Sequence, residues 1–300
     1  MNITLLLEDF YIHARYMRGV SPTTIIRYRQ QICFFFKQTN IDDLNKITKE
    51  VVLTFFMNGR MKRNWKSTTY IVYYHSLIVF FRWCVKNGHL SENYVEGLDL
   101  PKREKLLPKR LKKEVALKFL ETIYNYPYRQ EYTRYRNHAL FSVFLFSGLR
   151  KSEALNLRVQ DVDIENLSIF VRQGKGGKDR VVPMSVTLAH TLSKYLGKRN
   201  KARKTCPEFF TSSNKNHGFT VHGLKHFVED FKRDTGFDFT IHKLRHTFAT
   251  LMLEGGCDIF SLSKMLGHSD IKTTTIYLSA SAEHLREQVM KHPMNNVYPT

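Results

Sequence analysis

Residues 101–113 read PKREKLLPKRLKK, and this stretch constrains the fold more than any other. Pro101 and Pro108 each withdraw a backbone donor and fix φ, so no helix or strand runs through it. Whatever precedes it must therefore fold apart from whatever follows it. A chain of 300 residues is long enough for two such units, each with a buried core. The expected division is a helical domain over residues 1–98, a basic linker over 99–112 and a second domain over 113–300. The segment is basic at Lys102, Arg103, Lys105, Lys109, Arg110, Lys112 and Lys113, and acidic only at Glu104. It reads as a solvated tether or as a tether laid along a phosphate backbone.

The whole chain shares that bias, with a formal net charge of +20. Excess Lys and Arg bind polyanions by releasing condensed counterions, so nucleic acid is the expected partner. Anionic membrane is the competing surface. The longest apolar run, Ala139–Leu149, is broken by Ser142, Ser147 and Gly148 and falls short of the roughly 20 residues a bilayer span requires. The N-terminal text MNITLLLEDF lacks the basic region of a signal peptide, so the cytoplasm is the expected compartment. Cys33, Cys84, Cys206 and Cys257 lie far apart, which excludes a C-x-x-C motif and predicts reduced thiols.

Helical texture dominates. Ser21-Pro22 predicts an N-cap followed by proline at the first helical position, and Ile25, Ile26, Ile32, Phe35 and Phe36 continue at helical spacing. Ser67 opens a helix through Val85 that Asn87-Gly88 closes. Lys62, Arg63 and Lys66 precede it and are candidate phosphate contacts on charge alone, together with Lys102, Arg103, Lys105, Lys109 and Arg110 of the linker. In the second half, helices are predicted over 113–123, 135–146 and 149–157. The period then changes. Leu167–Val171 and Arg180–Met184 predict two short strands joined by the glycine-rich turn 172–179.

The stretch Ile241–Thr250, IHKLRHTFAT, carries two histidines four apart. A zinc protease helix reads H-E-x-x-H, with the glutamate as general base. Here Lys243 stands in the glutamate's place, and Arg245 on the same turn is a donor that never ligates a metal. An anion suits these residues better. His242 and Arg245 are three apart and share a helix face, and a guanidinium fork matches two phosphate oxygens. An exposed, solvated pair is the plainer alternative.

Four other places add to the case. Arg150 follows Gly148 at the end of an apolar helix, with Glu153 positioned to hold it. Lys175 lies in the turn GKGGK, which lacks the G-K-S/T of a P-loop but carries an ammonium able to protonate a leaving oxygen. His268 sits at a junction after Gly267, where Ser269 is able to cap a new helix. Tyr277 carries a hydroxyl that becomes a nucleophile once its proton is removed. Each has an ordinary structural explanation when taken alone.

Together the texts SGLRKSEALNLRVQDVD, GKGGKDRVVP, HKLRHTFAT and LGHSDIKTTTIY resemble, in order and spacing, the tyrosine recombinase (phage integrase) family, and especially its short Xer-like members. The resemblance spans nearly all of residues 146–277. LPKRL resembles the start of that family's catalytic domain, and residues 1–98 resemble its core-binding domain diffusely. After Tyr277 the chain reads LSAS where close relatives carry THVS or similar text. No additional arm-binding domain is evident.

The resemblance implies a mainly α fold with a small β-sheet, in which two domains form a C-shaped clamp on double-stranded DNA. It implies breakage and rejoining through a 3′-phosphotyrosyl intermediate and a Holliday junction, by a homotetramer on two DNA sites, with or without a second recombinase or accessory protein. Arg150, Lys175, His242, Arg245, His268 and Tyr277 would be catalytic. His242 would help deprotonate Tyr277, Lys175 would protonate the leaving 5′-oxygen, and Glu153 and His246 would orient the arginines. No metal, nucleotide or other cofactor is required. A type IB topoisomerase uses similar residues to nick and reseal. A non-catalytic DNA-binding protein would be expected to lack one of the six. Whether the outcome is integration, excision, inversion or dimer resolution, and at what sequence, is not written in these residues.

Overall fold

The computed structural model describes residues 3–102, 108–172, 179–268, 270–278 and 289–290. The chain divides into two compact units, Met1–Lys105 and Leu106–Thr300.

The first unit is helical: α1 (Ile3–Ile12), running into a π-helical turn (His13–Met17), then α2 (Pro22–Thr39), α3 (Lys49–Met61) and α4 (Ser67–Lys86). Ser21 caps α2 by accepting from the Thr24 N–H, and Thr48 caps α3 by accepting from Val51. The core is a mass of aromatic rings from all four helices, including Phe10, Phe35, Phe56, Phe80 and Phe81, each fully buried. Edge-to-face pairs such as Phe35–Phe81 and Phe10–Phe80 knit it together, a geometry that adds to the stabilisation from burial alone.

This packing removes one expected phosphate contact. Arg63 donates to Gln38 Oε1 and to the Phe55 carbonyl, both at 3.0 Å, and its guanidinium lies near the rings of Phe34, Phe55 and Trp65. It is an internal clasp, because a guanidinium is weakly hydrated and stacks well on aromatic faces. Lys62 and Lys66 remain exposed.

The second unit contains α5 (Lys113–Asn125), α6 (Glu131–Phe146), α7 (Lys151–Leu155), a three-stranded antiparallel sheet, α8 (Val186–Lys201), α9 (Val221–Thr235), α10 (Ile241–Glu254), α11 (Ile259–Leu266) and a last turn, α12 (Lys272–Thr275). The sheet order is β1 (Val162–Asp163), β2 (Ser168–Val171), β3 (Arg180–Pro183). Ile169 pairs with Val182 and Val171 with Arg180. The two expected strands are present. β1 is an addition, too short for alternation to reveal.

Helix α6 is the centre of the unit. Every side chain from Ala139 to Leu145 is buried, and α5, α8 and α10 pack around it. Its apolar run is a core helix. Among the described residues no helix is long and apolar enough to cross a membrane. The helix begins at Glu131, a turn earlier than expected, because Tyr132 and Arg136 are used internally. Tyr132 bonds Tyr195 at 3.0 Å and Arg136 donates to the Thr211 carbonyl.

The linker also differs from expectation. Arg110 pairs with Glu254 at 2.6 Å, and the Leu111 N–H donates to Thr247 Oγ1. Residues 110 and 111 therefore belong to the second unit, and Arg110 is engaged by a carboxylate instead of being held ready for phosphate. Lys102 and Lys109 are exposed. Arg103 and Lys105 lie outside the described residues.

Helix α6 ends at Gly148, whose φ is +60°. A Cβ there would stand 2.3 Å from the Phe248 ring. Both the left-handed conformation and the close approach of α10 require glycine. Gly148→Ala should destabilise the fold by about 2–5 kcal/mol, combining the left-handed penalty with overpacking. Urea unfolding followed by circular dichroism measures this, and an unchanged midpoint would contradict it.

Candidate active site

The polypeptide turns at Gly148 and Gly267 converge on the end of α11. Gly267 closes that helix in the left-handed region, at φ +63°, leaving the last carbonyls without helical partners. Three arginines from distant parts of the sequence supply them. Arg180 Nε donates to Met265 O at 2.9 Å. An Arg245 terminal nitrogen donates to Leu266 O at 2.7 Å, and one from Arg150 donates to Gly267 O at 3.0 Å. The second terminal nitrogen of Arg245 donates to the Gly148 carbonyl.

Glu153 binds two of these arginines. As the third residue of α7 it accepts from the Arg150 backbone N–H at 2.8 Å, the carboxylate half of a capping box. It also meets the Arg150 guanidinium at 2.7 Å and both terminal nitrogens of Arg180 at 2.8–3.0 Å. Burial raises its carboxyl, but the bonds from Arg180 and Arg150 outweigh this and hold it at about 2. Arg245 has no carboxylate within ion-pair distance among the described residues. Burial first, and then the charge of Arg150, lower it to about 10, so it stays protonated at neutral pH. Three guanidiniums thus face one carboxylate, and the surplus positive charge suits an anion.

Arg150, Arg245, His242, His246, His268, Thr273, Ile276 and Tyr277 line a pocket of about 240 Å³. His268 Nε2 lies 3.2 Å from Arg245 and Nδ1 lies 2.8 Å from Thr274 Oγ1. A guanidinium only donates, so Nε2 accepts and the ring proton sits on Nδ1. Tyr277 is 2 % exposed. Its ring packs with Phe248, Leu253, Leu262 and Leu266, and its hydroxyl meets His246 Nδ1 at 2.9 Å. Burial raises the phenol, while Arg245 and Arg150 pull it down. Burial, then His242 and Arg245, hold the His246 imidazole below its ordinary value.

Of the six residues expected to share a site, Arg150, His242, Arg245, His268 and Tyr277 meet around this pocket. Lys175 lies outside the described residues, as does Ser269, the expected cap. Glu153 holds Arg150 as anticipated. The histidines differ from expectation. His246, expected behind the arginines, touches the tyrosine, and the contact anticipated for His242 is made one turn further along α10. Tyr277 enters from beneath that turn, while His242 is exposed at the pocket's rim. Two residues were overlooked. Arg180 occupies an inward position of β3, alternating with exposed Val181 and in phase with buried Val182. An arginine in phase with a core valine is a legible signal. Thr274 is fully buried and had no comparable mark.

Among the described residues no group of three or more His, Cys, Asp or Glu is arranged to hold a metal ion. A larger groove of about 660 Å³ runs beside the Arg110–Glu254 pair, but no histidine, tyrosine, serine or cysteine lines it.

Because Glu153 is depressed in the folded state, its contribution to stability is present above the unfolded value of 4.5 and is lost as pH falls toward about 2. Thermal melts across that window should decline more steeply for wild type than for Glu153→Gln. Arg180→Ala should cost about 3–5 kcal/mol at neutral pH by leaving the buried carboxylate half-paired. Parallel melting profiles for wild type and Glu153→Gln would contradict the first expectation.

Residues 109–284 match the phage integrase family. The chain is 31 % identical over 289 residues to the tyrosine recombinase XerA of Pyrococcus horikoshii, covering 95 % of this chain and 93 % of that one. It is 28 % identical over 304 residues to the tyrosine recombinase XerC of Thermodesulfovibrio yellowstonii, covering 98 % of each. Among solved structures, the post-cleavage complex of the XerH site-specific recombinase with palindromic difH substrate aligns with a TM-score of 0.74 at 24 % identity, covering 95 % of this chain and 83 % of that one. A lambda integrase (75–356) dimer on a COC′ core site aligns with a TM-score of 0.72 at 18 % identity, covering 92 % and 95 %.

Proposed function

The chain belongs to the phage integrase family of tyrosine recombinases, and from that premise we propose that it carries out site-specific DNA recombination with Tyr277 as the nucleophile. The observation that carries this reading is the single pocket in which a buried Arg245 without a carboxylate partner among the described residues, the braced Arg150, the imidazoles of His242 and His268 and a tyrosine hydroxyl converge.

In this reading a scissile phosphodiester enters the pocket of a double-stranded DNA site. Arg150 and Arg245 bind its non-bridging oxygens. Both are already oriented by backbone carbonyls, so they stabilise the pentacoordinate transition state without reorganising. His242 adds a hydrogen bond to the same oxygens, and His268 adds another once Nε2 takes up a proton. The Tyr277 oxygen gives its proton to a neighbouring histidine and bonds to phosphorus as the P–O5′ bond breaks, and the Lys175 ammonium protonates the departing 5′-oxygen. The product is a 3′-phosphotyrosyl bond and a free 5′-hydroxyl. Attack by the partner strand's 5′-hydroxyl reverses the chemistry and joins the strands. Two such rounds pass through a four-way junction, which requires two protomers on each of two DNA sites. A homotetramer follows from that count, with or without a second recombinase or accessory protein. Energy is conserved in the phosphotyrosine, so no metal or nucleotide enters the balance.

A pool of nicked duplexes drawn from the DNA flanking the gene, incubated with protein in EDTA, provides the test. A denaturing gel should show a protein–DNA adduct with wild type and none with Tyr277→Phe. Arg245→Ala should reduce adduct formation by about 10²–10³-fold, the cost of removing one transition-state donor. An adduct that survives Tyr277→Phe would remove Tyr277 from the nucleophile's role.

A further inference from the structure

Tyr277 has to lose a proton before it can attack. Among the described residues its hydroxyl makes one hydrogen bond, to His246 Nδ1 at 2.9 Å. His246 is fixed by its place in the middle of α10, where its carbonyl accepts from Thr250 Oγ1. Its ring is tilted against the Tyr277 ring with centroids 5.5 Å apart. The groups facing the imidazole are Tyr277 from the segment after α12, and His242 and Arg245 from its own helix. Arg150 and His268 line the same pocket. Burial, and then His242 and Arg245, hold the imidazole below its ordinary value, which favours the neutral ring. A neutral imidazole offers one lone-pair nitrogen. With a phenol donating to Nδ1, that nitrogen is the acceptor and the ring proton sits on Nε2.

Resting on the reading of Tyr277 as nucleophile, we propose that His246 is a catalytic residue whose Nδ1 takes the phenol proton as the tyrosine oxygen bonds to phosphorus. The same nitrogen returns that proton to the tyrosine oxygen when a 5′-hydroxyl displaces it. The exchange balances within each half-reaction. In cleavage the O–H electron pair becomes the new O–P bond and the proton moves to Nδ1. In rejoining, the P–O bond to tyrosine breaks and the imidazolium supplies the proton. His242, one turn nearer the rim, has no bond to Tyr277. It is suited to the phosphate rather than to the phenol.

The test uses a duplex recovered from the adduct pool, in single-turnover reactions between about pH 5 and pH 9, with DNA binding measured separately by mobility shift. Wild type should slow as pH falls through the titration of the imidazole. His246→Ala and His246→Asn should both be slower by about 10²–10⁴-fold, the range of general acid–base catalysis, and should lose that acid limb. Asparagine keeps a polar contact to the hydroxyl but accepts no proton at these pH values, so it separates proton transfer from positioning. A substrate with sulfur at the leaving 5′ position should not rescue either variant, because sulfur leaves without an acid while the phenol still needs a base. Wild-type rates in His246→Asn would overturn the proposal in favour of a merely positioning ring. A faster His246→Ala would overturn it in favour of a restraint on the tyrosine. A Tyr277→Phe control run alongside separates the two readings, since an adduct surviving there overturns the nucleophile itself.

Discussion

The end of α11 governs the catalytic unit. An α-helix finishes with carbonyls that lack partners and with the negative end of its dipole. Here three successive carbonyls, those of Met265, Leu266 and Gly267, each take a guanidinium from a different part of the chain. Arg150 comes from the end of the central helix, Arg180 from the sheet and Arg245 from α10. A single helix terminus therefore sets the mutual positions of the residues that would grip a phosphate. The two left-handed glycines make this possible. Gly267 turns the chain so that its carbonyl faces Arg150, and Gly148 lets α10 approach closely enough for Arg245 to reach across.

Burying cations in this way is unfavourable unless something offsets it. The offset is divided. Arg180 and Arg150 share Glu153, whose carboxylate is satisfied by both and by a backbone N–H. Arg245 receives only carbonyl oxygens and a histidine nitrogen. Its charge is held in place but not cancelled. Removing a carboxylate from the neighbourhood of Arg245 sacrifices stability and leaves the field that a phosphodiester requires. Arg136 and Arg199 show that this chain also buries arginines on carbonyls elsewhere, since both clasp the 204–211 segment. Unpaired burial alone would not have marked Arg245. Its convergence with Arg150, His268 and Tyr277 does.

Much of this architecture is legible in the sequence because it rests on local rules. The Ser21 cap, the helix closing at Asn87-Gly88, the long apolar run of α6 and the switch to alternation at Ile169 and Val182 depend on neighbours a few residues away. The spacing of His242, Arg245 and His246 is likewise a property of one helix. What a helix cannot specify is which of its two histidines another segment will meet, and the hydroxyl of Tyr277 meets His246, not His242. Arg63 and Arg110 were read as phosphate contacts because charge is visible in a sequence while its partner is not. Phe34, Phe55 and Trp65 claim the first, and Glu254, 144 residues away, claims the second. β1 escaped notice because two residues carry no period.

The choice of tyrosine at position 277 follows from the same geometry. The segment after α12 has to be anchored, since it leaves a short turn and would carry the reacting group. A phenol solves both problems with one side chain, being apolar along its length and polar at its tip. The ring is held in a cluster with Phe248, Leu253, Leu262 and Leu266, while the oxygen reaches the polar pocket. A serine or cysteine at this backbone position would be too short to span the apolar layer. Thr274 tightens the arrangement further. Its carbonyl accepts the Tyr277 N–H and its hydroxyl accepts from His268 Nδ1, so one buried threonine ties the histidine beside Arg245 to the backbone that carries Tyr277. The positions of the arginines and of the tyrosine are thereby linked by contiguous hydrogen bonds, running from the end of α11 through His268 and Thr274 to Tyr277.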